Sequence, residues 1–251
     1  MKSSVLSQCI LIALIIAAIT LPAVICYFLF VAPSDPSDLA SASDAAHNIS
    51  SEQNTSSTQS SGPIILIDPG HGGFDPGKVS PEGIKEKDIN LAISLKLRDA
   101  LNNLGFCAYL TRESDISLNS ADSGSKKTSD LRNRTNMAEQ LNADLYISIH
   151  QNSYSAEYVH GAQVFYYSTS PTGKSLAESI QQHIIDEADP DNTRMAKGNP
   201  DYMVLKDSPC TSVIVECGFL SNNNECQRLC DNEYQFKIAN AIANAIDERS
   251  K

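Results

Sequence analysis

Ile64-Ile65-Leu66-Ile67-Asp68-Pro69-Gly70-His71-Gly72-Gly73 opens the part of this 251-residue chain that is able to fold. Its apolar, isoleucine-rich start reads as a strand buried on both faces, and Pro69 with the glycines stops it abruptly. Two later runs repeat the pattern. Tyr146-Ile147-Ser148-Ile149 leads into His150, and Val213-Ile214-Val215 leads into Glu216. Each apolar run ends in a side chain that can bind a metal or move a proton. In open α/β sheets, sites assemble at the carboxyl ends of the strands.

Strand and helix signals alternate outward from this stretch. Asp88 reads as a helix cap, followed by Ile89, Ile93, Leu97 and Leu101 at helical spacing and by Gly105 as the stop. Strands are expected at 106–111, 144–149, 161–167 and 211–216. Helices are expected at 129–141, 173–188, 222–230 and 233–246. The order predicts an α/β fold: a single domain with a mostly parallel twisted sheet and helices on both faces. A loop containing Pro190, Gly198 and Pro200 precedes the last strand, and its Asn199–Lys206 segment is a candidate border of the cleft.

The N-terminus predicts a membrane anchor over residues 1–32. No charged residue occurs from Ile10 to Ala32. At about 1.5 Å per residue the run spans roughly 35 Å, against a hydrocarbon core of about 30 Å. Lys2 precedes it and the next base is Lys78, so the positive-inside rule places the remainder outside the cytoplasm. Ala40-Ser41-Ala42 offers a cleavage alternative, but it lies well past the apolar run. Residues 33–62 contain no Phe, Tyr or Trp and no Lys or Arg. They read as a disordered tether with a reach on the order of 30 Å, leaving 63–251 as the folded domain.

Charge narrows the partners. Lys2 is the only base before Pro63, and Asp35, Asp38, Asp44 and Glu52 are the only acids. The net charge of −11 therefore leaves −8 on the domain. An acidic domain without a basic run argues against nucleic acid. Its five cysteines (Cys107, Cys210, Cys217, Cys226 and Cys230) form neither a disulfide framework nor a zinc motif by spacing.

The turn from Gly72 to Val79 approaches a phosphate-binding loop but fails chemically. Val79 stands where a magnesium-binding hydroxyl is required, Pro76 lacks an N–H, and Asp75 places an anion against the phosphate site. A zinc site fits better. It needs three N/O ligands and an open position. His71 and His150 lie at strand ends, and Glu82, Glu86 and Asp88 offer carboxylates between the first strand and its helix. His160 reads as a loop residue and His183 as a solvated helical one.

Asp68-Pro69-Gly70-His71-Gly72-Gly73, Gly83-Ile84-Lys85-Glu86-Lys87-Asp88, Ser148-Ile149-His150-Gln151-Asn152 and Val215-Glu216-Cys217-Gly218-Phe219-Leu220-Ser221-Asn222 together resemble the zinc-dependent N-acetylmuramoyl-L-alanine amidases. The resemblance runs from about Ile64 to the last helix. It implies that His71, Glu86 and His150 bind Zn2+, that Glu216 is the catalytic carboxylate, and that Arg134, Asn136 and Asp68 are candidates for substrate contact or for orienting a ligand. Gln151 departs from the small residue common in the family. The substrate implied is peptidoglycan, cut between the lactyl group of N-acetylmuramic acid and L-alanine of the stem peptide. The anchored architecture is most similar to the sporulation amidases of cortex synthesis, which act between the forespore membranes and ahead of muramic δ-lactam formation; an activating protein partner is compatible with it. The alternatives are wall turnover or daughter-cell separation, a zinc peptidase or deacetylase, and a silent wall-binding regulator. All four key residues are present, which speaks against the last.

Overall fold

The computed structural model describes residues 62–120 and 124–251. The expected anchor and nearly all of the tether lie outside the described residues. Among those described, no helix is long and apolar enough to cross a membrane.

The elements run β1 (Ile64–Pro69), α1 (Glu86–Asn103), β2 (Cys107–Leu110), α2 (Lys126–Leu141), β3 (Leu145–Asn152), β4 (Gln163–Tyr167), α3 (Pro171–Glu187), β5 (Lys197–Asn199), α4 (Met203–Lys206), β6 (Thr211–Phe219), α5 (Asn223–Cys230) and α6 (Asn232–Arg249). They build a six-stranded sheet in the order β2-β1-β3-β6-β4-β5. β1, β2, β3 and β6 are mutually parallel. β4 runs antiparallel to β6 and parallel to β5. The sheet is thus mixed and mostly parallel, as expected, with its one antiparallel join at β4. β5 and α4 arise inside the stretch read as a loop; three- and four-residue elements are too short to carry a periodic signal.

Alternation along the central strands divides the apolar residues between two faces. Ile65, Ile67, Ile147, Ile149, Val213 and Val215 pack against α1, α3 and α6 in the larger core. There α1 contributes Ile89, Ile93, Leu97 and Leu101, one stripe at four-residue spacing. Full burial of such side chains stabilises by about 1.5–3 kcal/mol each, before conformational entropy is counted. Leu66, Tyr146, Phe165 and Ile214 face the other way, into a smaller core with Ala138 of α2 and with Val204 and Leu205 of α4.

Towards the carboxyl ends of the strands this second face turns polar. Asp68 pairs in register with Ser148, and His150 with Glu216. β3 and β6 continue two and three residues beyond His150 and Glu216, with a register shift between His150 and Asn152. The two functional side chains are therefore held by ladder hydrogen bonds rather than sitting at frayed strand ends.

Candidate metal centre

The turn after β1 places the first imidazole. His71 has φ of 62°, a left-handed conformation uncommon for a residue with a Cβ. Two buried arginines hold it there. Arg134 donates to the His71 carbonyl at 2.7 Å and to that of Pro69 at 2.9 Å. Arg112 donates to the same carbonyls at 2.8 and 2.9 Å and to that of Gly70 at 3.0 Å. Glycine is required at Gly70, where a Cβ would come within 2.3 Å of the His150 ring.

The second ligand comes from the opposite face of the sheet. Glu86 is the first residue of α1, two positions earlier than the cap expected at Asp88, and Lys85 caps the helix without a side-chain bond. The antiparallel bridge between Val79 and Lys85 turns the chain back. Glu86 Oε2 accepts from the Lys78 amide at 2.7 Å, and Oε1 accepts from the Gln151 amide at 3.1 Å and from Asn90 at 3.3 Å. Gln151 is buried and bonds Asn90 at 3.1 Å, so its larger side chain braces the carboxylate.

His71, Glu86 and His150 converge, with one ligand atom from each lying within 4.8 Å of the others. Glu86 Oε1 is 3.2 Å from His71 Nε2 and 3.0 Å from His150 Nδ1. The two rings meet edge to face, with centroids 5.0 Å apart. Burial would raise the Glu86 pKa, but hydrogen bonds and charge from His150 and His71 outweigh it and hold the carboxyl well below its usual range. His71 Nδ1 lies 2.9 Å from Asp75 Oδ2. An ionised carboxylate only accepts, so Nδ1 carries a hydrogen towards Asp75, and Nε2 is the ring atom turned to the cluster. Two imidazoles, one charged carboxylate and an open side make a donor set that fits zinc.

Glu216 stands beside this cluster without belonging to it. Its Oε2 is shut off from solvent and has no hydrogen-bond partner. Burial pushes its pKa up to about 7 and Glu86 adds to the rise, while His150 and His71 oppose it. Two clefts, of about 220 and about 360 Å3, open onto His71, His150 and Glu216. Tyr202 borders both, as the Asn199–Lys206 reading anticipates.

The remaining candidates separate. Asp68 is buried and accepts from Arg134 at 2.6 Å, Thr111 at 2.7 Å and Ser148 at 2.7 Å. It reaches His71 only through Arg134. Arg134 is itself buried and also binds Asp130 at 2.6 Å. Asn136 is exposed on α2 and lines neither cleft. His160 is exposed, and His183 pairs with Glu248, both outside the cluster. All five domain cysteines are free. Sequence reasoning did not single out Arg112, and it used Asp75 only to reject phosphate. A polar Thr111-Arg112 pair directly after the apolar β2 was the available signal for the first.

The family model for N-acetylmuramoyl-L-alanine amidase matches residues 65–248. The germination-specific N-acetylmuramoyl-L-alanine amidase of Bacillus subtilis is 37% identical over 191 residues, covering 74% of this chain and 79% of that protein. The solved structure of the CwlD amidase from Clostridioides difficile, in complex with the GerS lipoprotein, is 40% identical with a TM-score of 0.72. It covers 74% of this chain and 97% of its own. AmiC2 of Nostoc punctiforme, another N-acetylmuramoyl-L-alanine amidase, is 33% identical with a TM-score of 0.67, covering 76% of this chain and 98% of its own. With the metal-binding cluster in place on this fold, the chain belongs to the zinc-dependent N-acetylmuramoyl-L-alanine amidases, hydrolases of peptidoglycan.

Proposed function

We propose that His71, Glu86 and His150 hold the zinc ion and that Glu216 handles the proton in cleavage of the muramoyl–L-alanine amide. The observation carrying this is Glu216 itself: a half-buried carboxyl with one sealed, partnerless oxygen and its pKa pushed up to about 7, next to a three-donor cluster. Zinc bound there supplies a Lewis acid for the substrate carbonyl and brings the pKa of water towards about 7. Glu216 accepts the proton of the attacking water and delivers it to the leaving nitrogen of L-alanine. A C–O bond forms and the C–N bond breaks, giving the lactyl carboxylate and a free amino terminus. Asp75 keeps the hydrogen on Nδ1 of His71, and Arg112 and Arg134 fix the backbone that presents the ring.

Glu216→Gln tests this assignment. The variant is expected to retain zinc by metal analysis while releasing no amino-terminal L-alanine. Loss of zinc as well would make Glu216 a ligand and sink the proposed role.

Likeness to the germination-specific amidase and to the CwlD amidase supports a role in spore cortex synthesis, with a protein partner comparable to the lipoprotein in that complex. The apolar run 10–32 supports tethering of the catalytic domain outside the cytoplasm. Spores lacking the chain are expected to lack muramic δ-lactam. Normal δ-lactam in their cortex would favour the wall-turnover or cell-separation reading instead.

A further inference from the structure

The cleft-facing stripe of α2 consists of Lys127, Asp130, Leu131 and Arg134, spaced three and four residues apart as one helical face requires. Three of its members have settled roles. Arg134 and Asp130 bind each other, and Leu131 packs on the smaller core. Lys127 is different. It is exposed and borders both clefts, and its ammonium makes no hydrogen bond or ion pair, although its charge reaches Asp75 on the same wall. Its neighbour Lys126 stacks 5.8 Å from the ring of Phe74, which docks the first turn of α2 beside the loop that carries His71.

The rest of the cleft wall combines apolar side chains, Phe74, Leu131, Met203 and Ile214 among them, with the carboxylates of Asp75, Asp130 and Glu216 around the metal cluster. A substrate bearing a carboxylate near the scissile bond meets repulsion there unless a cation answers it. Arg134 is committed to Asp68 and Asp130, and Lys78 borders only the larger cleft. Lys127 is the cation common to both clefts whose ammonium is held by no hydrogen bond or ion pair.

We propose that Lys127 is a specificity residue that pairs with a free carboxylate on the stem peptide, one residue beyond the L-alanine whose amide is cut. The proposal rests on the amidase reading above. Lys127 touches the substrate away from the reacting atoms, so it sets which peptide is preferred rather than the chemistry.

The test compares two synthetic muramoyl peptides that differ only at the second peptide residue, one with a free α-carboxylate and one with its carboxamide. The full-length, zinc-loaded protein in detergent is assayed for kcat/KM on each. Wild type is expected to favour the acid by roughly fivefold, a preference that shrinks at high salt. Lys127→Met is expected to bring the ratio to about one, and Lys127→Arg to keep it. The ratio is read within each variant, so a general loss of activity does not affect it. A wild-type ratio near one, or a Lys127→Met ratio equal to that of wild type, overturns the proposal. Cleavage of neither peptide by wild type would overturn the underlying amidase reading and this inference with it.

Discussion

Glu216 shows how much chemistry one position can hold. Its backbone belongs to a buried strand, its register partner is His150, and one oxygen is sealed without a partner. A carboxyl in that setting is costly unless it has work to do. Replacement by Gln keeps the shape and removes the exchangeable charge, so activity on peptidoglycan is expected to fall by a factor on the order of 10²–10⁴. Asp75 acts through His71 instead. Asp75→Asn is expected to weaken zinc about 10–100-fold in a competition titration with a chromophoric chelator, with wild-type rates recovered at saturating metal. Unchanged affinity would mean that the 2.9 Å contact does not orient the ring. His71, His150 and Glu216 were legible in the sequence because each follows an apolar run. Asp75 and Arg112 were not, since their value lies in what they touch. Arg112 bonds Gly70 across 42 positions of sequence, a relation no local pattern encodes.

At the scale of elements, the sequence located the helices well and their starts less well. α1 begins at Glu86, without a side-chain cap at Lys85, because a bonding network holds that end of the helix. Glu86 spends its carboxylate on the amides of Lys78 and Gln151 and on the two histidines. Capping preferences describe helix ends that face water, and this one faces a site. The antiparallel β4 was equally hidden, since strand direction depends on where the chain goes between strands. The elements are locked around the site by the Asp68–Arg134 pair, which joins β1 to α2 in the interior. Burial alone would raise the Asp68 pKa, but Arg134, Thr111 and Ser148 overcome it and hold the carboxyl well below its ordinary value. A depressed folded-state pKa means that this contribution is fully present above the unfolded value of about 3.9 and is lost as pH falls through the folded one. Urea denaturation is therefore expected to show no loss from this pair between pH 7 and 5 and a decline below about pH 4. Asp68→Asn leaves Arg134 buried with a weaker partner. It is expected to cost about 3–5 kcal/mol at neutral pH and to flatten the acid-side slope. A variant as stable as wild type at pH 7 would show that Asp130 alone satisfies the guanidinium.

Across the described part of the molecule, both faces of the sheet contribute to one centre. The larger core carries α1 and with it Glu86, whereas His150 and Glu216 project on the side of the smaller core. A dication bound by groups from β1–α1 and β3 crosslinks elements far apart in sequence. Zinc at about 100 times its dissociation constant is expected to stabilise the fold by about 2.7 kcal/mol. The thermal midpoint should rise with zinc, fall with chelator, and become insensitive to both in His150→Ala. The βαβ order and the mostly parallel sheet were readable from alternating periodicities. The convergence of three elements on one ion was supplied by family resemblance and then by geometry, because spacing along the chain does not report distance across a sheet.

The most direct measurement is release of amino-terminal L-alanine from purified peptidoglycan by the zinc-loaded, full-length protein, run beside its Glu216→Gln and His150→Ala variants. Peptide-free glycan and free L-alanine amino termini are expected from wild type alone, with zinc retained by Glu216→Gln and lost by His150→Ala. Release by Glu216→Gln at the wild-type rate would contradict the proposed site, and absence of release by fully loaded wild type would contradict the activity itself.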